Sequence, residues 1–295
     1  MVLPAPIHAS AADLPGPVRV ALEQPPDGAE GVVEADGIPF ATRTWGDPDA
    51  PPILLVHGVT SSSRTWWRVG PALAVGMARF IVAVDQAGHG RTGHWAGKVA
   101  FRDNAATIVA FARAAGIAGP GLRVVGHSWG GMTAAALPSV GLVPEVTVLL
   151  DPPAIPLATI SSMLDDPIER HYDDLAEAVA AIGALYPTLA YGDVFGKAEA
   201  LTQFDEAAVR AVLTENGDWD GRLAALAAPE AAGARVRLIR GEVASGGLVP
   251  DAAAEAFAER IGPENVLTIA GGSHSPMRTR IEATTLALLR ALEPG

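Results

Sequence analysis

Strand-length apolar runs recur through the chain without polar alternation. Pro52-Ile53-Leu54-Leu55-Val56, Phe80-Ile81-Val82-Ala83-Val84, Leu122-Arg123-Val124-Val125 and Val146-Thr147-Val148-Leu149-Leu150 come first. Val236-Arg237-Leu238-Ile239-Arg240 and Val266-Leu267-Thr268-Ile269 follow near the end. Such runs predict strands buried on both faces. Helical periods lie between them: from Arg64 to about Gly76, from Phe101 to about Gly116 with Ile108, Phe111 and Ala112 on one face, then over 250–261 and 276–292. Strand–helix alternation predicts an α/β fold with a mostly parallel, doubly wound sheet. Before the first run, Val32–Ala35 and Ile38–Trp45 flank Asp36-Gly37, the signal of a β-hairpin.

Two stretches break this rhythm. Residues 1–30 are rich in Ala and Pro and carry no clear period, which predicts an N-terminal arm packed on, or frayed from, the core. Between about Pro152 and Arg222 there is no buried strand, only helical patterns around His171–Ala184 and Asp205–Glu215 separated by Pro and Gly. The expected organisation is a core of residues 31–151 and 223–295, with a helical cap over 152–222 inserted at the C-terminal end of a strand. Ligands of open α/β sheets bind at that edge.

Composition excludes more than it assigns. The 295 residues, 49% hydrophobic, suffice for one large domain with an insertion. No apolar run reaches the roughly 18 residues that span a membrane. Met1–Pro6 lack the basic and apolar regions of a signal peptide, so a cytoplasmic setting without a membrane partner is expected. A net charge of −12 argues against nucleic acid as a partner. Without cysteine there is no disulfide, thiolate metal site or cysteine nucleophile. Gly88-His89-Gly90-Arg91-Thr92-Gly93 has the glycine spacing of a dinucleotide fingerprint, but His94-Trp95-Ala96-Gly97 continues as loop where a helix should open. His89 and His94 have no carboxylate at ligand spacing. No cofactor and no metal are expected.

The stretch that carries chemistry is Gly126-His127-Ser128-Trp129-Gly130. It follows a β-branched run and opens into Met132 and Ala134-Ala135-Ala136-Leu137, so it predicts a strand turning sharply into a helix with Ser128 at the apex. Glycines two residues to either side make room for so tight a turn. A serine hydroxyl needs a base, the base needs a group that orients it, and the tetrahedral intermediate needs donors for its oxyanion. Of seven histidines, His274 lies in the loop between the last strand and the last helix, where an imidazole can reach the sheet edge. His57 and His89, each beside a glycine at a strand end, read as loop scaffolding. His127 precedes the serine and is expected to point away from it.

These motifs, His57-Gly58, Asp85-x-x-Gly88-His89-Gly90, Gly126-His127-Ser128-Trp129-Gly130-Gly131 and His274, fall in order after successive strands and resemble the α/β-hydrolase superfamily from about residue 31 to the C-terminus. The resemblance implies a Ser–acid–His triad, a cap over the site, and an oxyanion hole from the backbone N–H groups of Val59 and Trp129. It departs at the acid. Ala244 stands where family members usually carry Asp. Asp151, directly after Leu150, occupies the place a minority of the superfamily uses. It is the expected acid, with Glu242 as the alternative and a degenerate triad the remaining case.

The expected activity is hydrolysis of a carboxylic ester or lactone of a moderately apolar small molecule. C–C or amide hydrolysis by the same triad, or a ligand-binding role without catalysis, are the alternatives. Candidate pocket residues are Trp66, Trp67, Met163, Tyr186 and Trp219. Asp165, Asp166, Glu169, Asp173 and Asp174 read as a solvated acidic face that discourages strongly anionic substrates.

Overall fold

The computed structural model describes residues 3–219 and 233–293. Among these, β1 (Ala29–Ala35), β2 (Ile38–Trp45), β3 (Pro52–Val56), β4 (Phe80–Val84), β5 (Arg123–His127), β6 (Val146–Leu150), β7 (Arg235–Gly241) and β8 (Val266–Ile269) form one sheet in the order β1-β2-β4-β3-β5-β6-β7-β8. The pairs β1–β2 and β2–β4 are antiparallel, and the other five are parallel. The strand order reverses at β3, with β4 on one side and β5 on the other. The loops leaving β3 and β5 therefore diverge and open a crevice at the strands' C-terminal ends.

The unbroken apolar runs serve two cores. Ile53, Leu55, Ile81, Val125 and Val148 pack with α1 (Gly16–Glu23), α2 (Val69–Met77) and α11 (Ile281–Leu292). Leu54, Val56, Val82, Val124 and Leu149 pack on the opposite face with α3 (Phe101–Ala114), α4 (Trp129–Ala136) and α9 (Asp251–Ile261). Alternate side chains of a strand point to opposite faces, so a run with apolar residues at successive positions supplies both. Asp36 and Gly37 both have positive φ (50° and 78°), as a two-residue hairpin turn of the predicted kind requires.

The arm is packed. Val18, Ala21 and Leu22 of α1 are buried, and Ile7 bridges Ile269 at the outer edge of β8. Between β6 and β7 lie α5 (Leu157–Ser161), α6 (Leu175–Leu185), α7 (Tyr191–Leu201) and α8 (Glu206–Glu215). Asp174 and Asp205 cap α6 and α8 by accepting backbone N–H groups of their first turns. Helix α7 is not foreseen in the sequence pattern, because Asp193 and Lys197, polar by type, are buried in it and blur its apolar face. The expected segment boundary at 222/223 lies outside the described residues. The predicted C-terminal helix is split at Arg280 into α10 (Pro276–Thr279) and α11. Among the described residues no helix is long and apolar enough to cross a membrane.

Candidate active site

Steric exclusion builds the elbow. Ser128 holds φ 56° and ψ −125°, a conformation unfavourable for any residue with a Cβ. A Cβ on Gly126 would stand 2.1 Å from the Gly130 carbonyl oxygen, and one on Gly130 would stand 2.4 Å from the carbonyl oxygens of Val56 and His57. Only glycine lets β5, α4 and the end of β3 approach this closely. The Ser128 N–H donates to the Leu150 carbonyl (3.0 Å), which anchors the turn to β6.

His274 reaches Ser128 from the loop after β8, with Nε2 2.9 Å from the serine Oγ. Its Nδ1 lies 2.7 Å from Oδ2 of Asp151. Asp151 is fully buried at the end of β6, also with positive φ (44°). Its Oδ1 accepts the Gly241 N–H and its Oδ2 the Leu248 N–H, each at 2.9 Å. With the Gly241 and Leu248 N–H groups donating to the carboxylate, the third contact is filled by His274 Nδ1–H, which leaves Nε2 to accept from the serine. Glu242, the alternative acid, is committed elsewhere: its Oε2 accepts the Gly271 N–H at 2.9 Å. Ala244 lies in a short helical turn, Val243–Ser245.

The loop after β3 faces this line. Among the described residues, neither the Val59 nor the Trp129 backbone N–H is paired with a protein acceptor, and Trp129 opens α4, where the helix dipole adds positive potential. Gly58 is required by contact, since a Cβ there would lie 2.8 Å from Ser128 Cβ. The next residue but one, Thr60, has φ 53° and is held from α7. Lys197 Nζ donates to the Thr60 carbonyl (3.1 Å), to Thr60 Oγ1 (2.9 Å) and to Glu169 Oε2 (2.6 Å). Burial alone would raise the Glu169 carboxyl, but the Lys197 ammonium beside it keeps it below the usual range. Sequence reasoning missed this clamp. Lys197 stands within a helix with no motif around it, and Glu169 read as part of a solvated face.

Three other histidines are buried beneath the site. His57 Nε2 accepts the Gln86 N–H (2.9 Å), which fixes its proton on Nδ1, 2.7 Å from the Gly58 carbonyl. The Gln86 side chain in turn donates to the His57 carbonyl and accepts from Asn104. Burial pushes His57 down to about 4. Burial, with His57 nearby, pushes His89 down to about 3. Both are therefore neutral at physiological pH, as scaffolding requires. His127 is also held well below its usual value by burial and the neighbouring His274. Its Nε2 lies 2.8 Å from the His274 backbone carbonyl, so it donates there and braces the loop that carries His274. It points toward that loop rather than simply away from the serine.

A cavity of about 340 Å³ opens over Ser128. Its apolar wall includes Ile160, Met163, Phe204, Leu213 and Trp219, all from the segment between β6 and β7. Of the candidate pocket residues, Met163 and Trp219 line this cavity and three others do not. Trp66 is fully buried in the core on the α2 face of the sheet. Trp67 lies against Gly192, and its Nε1 donates to Asp193 Oδ1 (2.9 Å), which ties it to α7 outside the cavity. Tyr186 is partly exposed at the end of α6 and does not line the cavity. Loop proximity to Val59 made the two tryptophans plausible, but the turn over Ser63–Trp66 directs the first inward to the core.

A doubly wound sheet that holds a strained serine, a histidine and a buried aspartate at the C-terminal ends of its strands has the architecture of the α/β hydrolases. The family model of the alpha/beta hydrolase family matches residues 53–285, and the chain belongs to that family. A comparison with curated proteins gives no match. Among solved structures, E-2-(acetamidomethylene)succinate hydrolase is similar at 22% identity and TM-score 0.73, over 90% of this chain and 100% of the other. The thioesterase domain from the curacin biosynthetic pathway is similar at 21% identity and TM-score 0.68, over 90% and 99%. An esterase from Rhodococcus sp. ECU1013 is similar at 21% identity and TM-score 0.63, over 91% and 100%.

Proposed function

We propose that the protein is a serine hydrolase of carboxylic esters or lactones of small molecules, acting through an acyl-enzyme on Ser128. The observation that carries this reading is the unbroken hydrogen-bonded line from Asp151 Oδ2 through His274 to Ser128 Oγ. In this reading His274 Nε2 takes the serine proton as Oγ attacks the carbonyl carbon. Asp151 holds the tautomer and stabilises the imidazolium that forms. The unpaired N–H groups of Val59 and Trp129 receive the oxyanion. His274 then returns the proton to the leaving alkoxide, and water repeats the cycle on the acyl-enzyme. In a lactone the leaving alkoxide stays tethered to the acyl group.

Residues 152–222 act as a cap in this proposal, supported by their supply of the cavity's apolar wall and of Lys197. Among the similar structures are a hydrolase of an acetamidomethylene acid and an esterase. Amide hydrolysis by the same residues is the second reading, which the first of these favours. A fluorophosphonate probe tests the mechanism. Labelling of Ser128 in the wild type, with labelling and ester turnover both lost in a folded Ser128→Ala variant, is the expected result. Substantial hydrolysis by that variant refutes it.

A further inference from the structure

The charged groups around the cavity are unevenly matched. Arg170, Lys197, Arg210 and Arg278 line it against Asp166, Glu169 and Glu206. Arg170 pairs with Glu177, and Lys197 pairs with Glu169. Asp166 spends one carboxylate oxygen on the N–H groups of Ile168 and Glu169. Arg210 is exposed to solvent. Arg278 is different. It is half-buried, and among the described residues no carboxylate stands within ion-pair distance of it.

Its position is fixed on two sides. The side chain leaves α10 four residues after His274, and its Nη2 donates to Thr65 Oγ1 (2.9 Å) in the turn that follows the oxyanion loop. Its Nε is buried with no acceptor among the described residues. A guanidinium placed in a cavity wall with donors to spare is electrostatically incomplete, because desolvation costs it more than one neutral hydrogen bond returns. Its positive charge reaches the site, contributing to the lowered pKa values of Glu169, Lys197 and His127. Of the acidic residues expected to form a solvated face, Asp166 and Glu169 line the cavity, and three are offset, committed or outside it. Glu169 is neutralised by Lys197, Asp173 is fully exposed, and Asp174 caps α6.

We infer that Arg278 is the binding group for a carboxylate carried by the substrate itself, so that the preferred substrate is a mono-ester, or comparable acyl derivative, of a dicarboxylic acid. This inference deepens the hydrolase reading above and rests on it. A planar carboxylate matches the guanidinium in shape and charge, and such charge-assisted pairs are the strong ones. The cavity then divides its labour. Ser128 and the oxyanion donors take the reacting carbonyl, the wall around Met163, Phe204 and Trp219 takes the apolar part, and Arg278 sets the register by holding the far end.

The test compares substrates that differ only in a terminal group. Mono-4-nitrophenyl esters of succinic, glutaric and adipic acids are set against 4-nitrophenyl butyrate, pentanoate and hexanoate. The best acid mono-ester should exceed its neutral partner in kcat/KM by about tenfold or more, the size expected of one charge-assisted contact. Arg278→Gln should remove that preference, bringing kcat/KM for the acid mono-esters down to the level of their neutral partners, chiefly through KM. Arg278→Lys should restore part of it. Neutral esters preferred at every length, or a preference unchanged in Arg278→Gln, overturns the inference. Fluorophosphonate labelling of Ser128 separates the two levels: labelling with no acid preference overturns only the Arg278 site. Without labelling, calorimetry with glutarate decides. Binding that is lost in Arg278→Gln sustains the anion site while the hydrolase reading falls, and no binding overturns the site as well.

Discussion

Replacing Asp151 by Asn probes the least legible part of the site. The carboxylate accepts three donors, the Gly241 N–H on Oδ1 and the Leu248 N–H and His274 Nδ1 on Oδ2. An amide offers one oxygen and one NH₂ group, so no orientation satisfies all three. With the amide oxygen in the Oδ2 place, the NH₂ opposes the Gly241 N–H at the distance of a hydrogen bond. Reversed, the NH₂ opposes the Leu248 N–H and forces His274 to accept on Nδ1, which puts its proton on Nε2 and removes the base. A buried donor left without an acceptor costs about 1–3 kcal/mol. The same change in a serine protease's triad lowers kcat by about ten-thousand-fold through the wrong tautomer. Asp151→Asn is therefore expected to lose a few degrees in Tm and about a thousandfold or more in kcat for 4-nitrophenyl esters at pH 7.5, with KM changed little. Glu242→Gln, read in parallel, should keep kcat within about threefold, because among the described residues the Glu242 side chain bonds a loop N–H and not His274. An Asp151→Asn variant within tenfold of wild type, or a crippled Glu242→Gln, refutes the assignment.

Two further expectations follow from buried charge. Lys197→Met leaves Glu169 without its ammonium and Thr60 without its clamp, so a loss of about 2–4 kcal/mol in urea unfolding is expected. A drop in kcat of about tenfold or more should accompany it as the Val59 N–H loses its aim, and an unchanged kcat excludes the clamp from oxyanion positioning. The second concerns acid. His57 and His89 are held neutral in the fold, down to about 4 and about 3, so below about pH 6.5 the unfolded chain takes up protons that the folded one refuses. Their contribution is complete above that pH and is lost as pH falls toward those values. His89→Phe should flatten the slope of stability against pH between 6 and 4 by up to about 1.4 kcal/mol per pH unit, measured by urea titration, and an identical slope would sink the attribution.

The backbone plan was written locally. A mainly apolar run of strand length, without polar alternation, names a strand covered on both faces, and the six predicted runs lie in the sheet. Asp36-Gly37 names its turn, and the glycines around Ser128 name the elbow, because close backbone approach excludes any Cβ there. These are short-range signals, carried by neighbours in sequence. What crosses the molecule was decided by tertiary structure. His274 meets Asp151 across 123 positions and Ser128 across 146, distances over which no periodicity speaks. A loop aspartate beside two prolines reads equally as a turn residue until Gly241 and Leu248 are brought to it. Trp66 and Trp67, equivalent as letters, part company because one turn buries the first in the core and ties the second to Asp193. Lys197 and Arg278 carry the same charge in sequence. Only the fold neutralises one against Glu169 and leaves the other facing the cavity with no carboxylate paired to it among the described residues, because ion pairs depend on distances of a few ångströms that chain order does not encode.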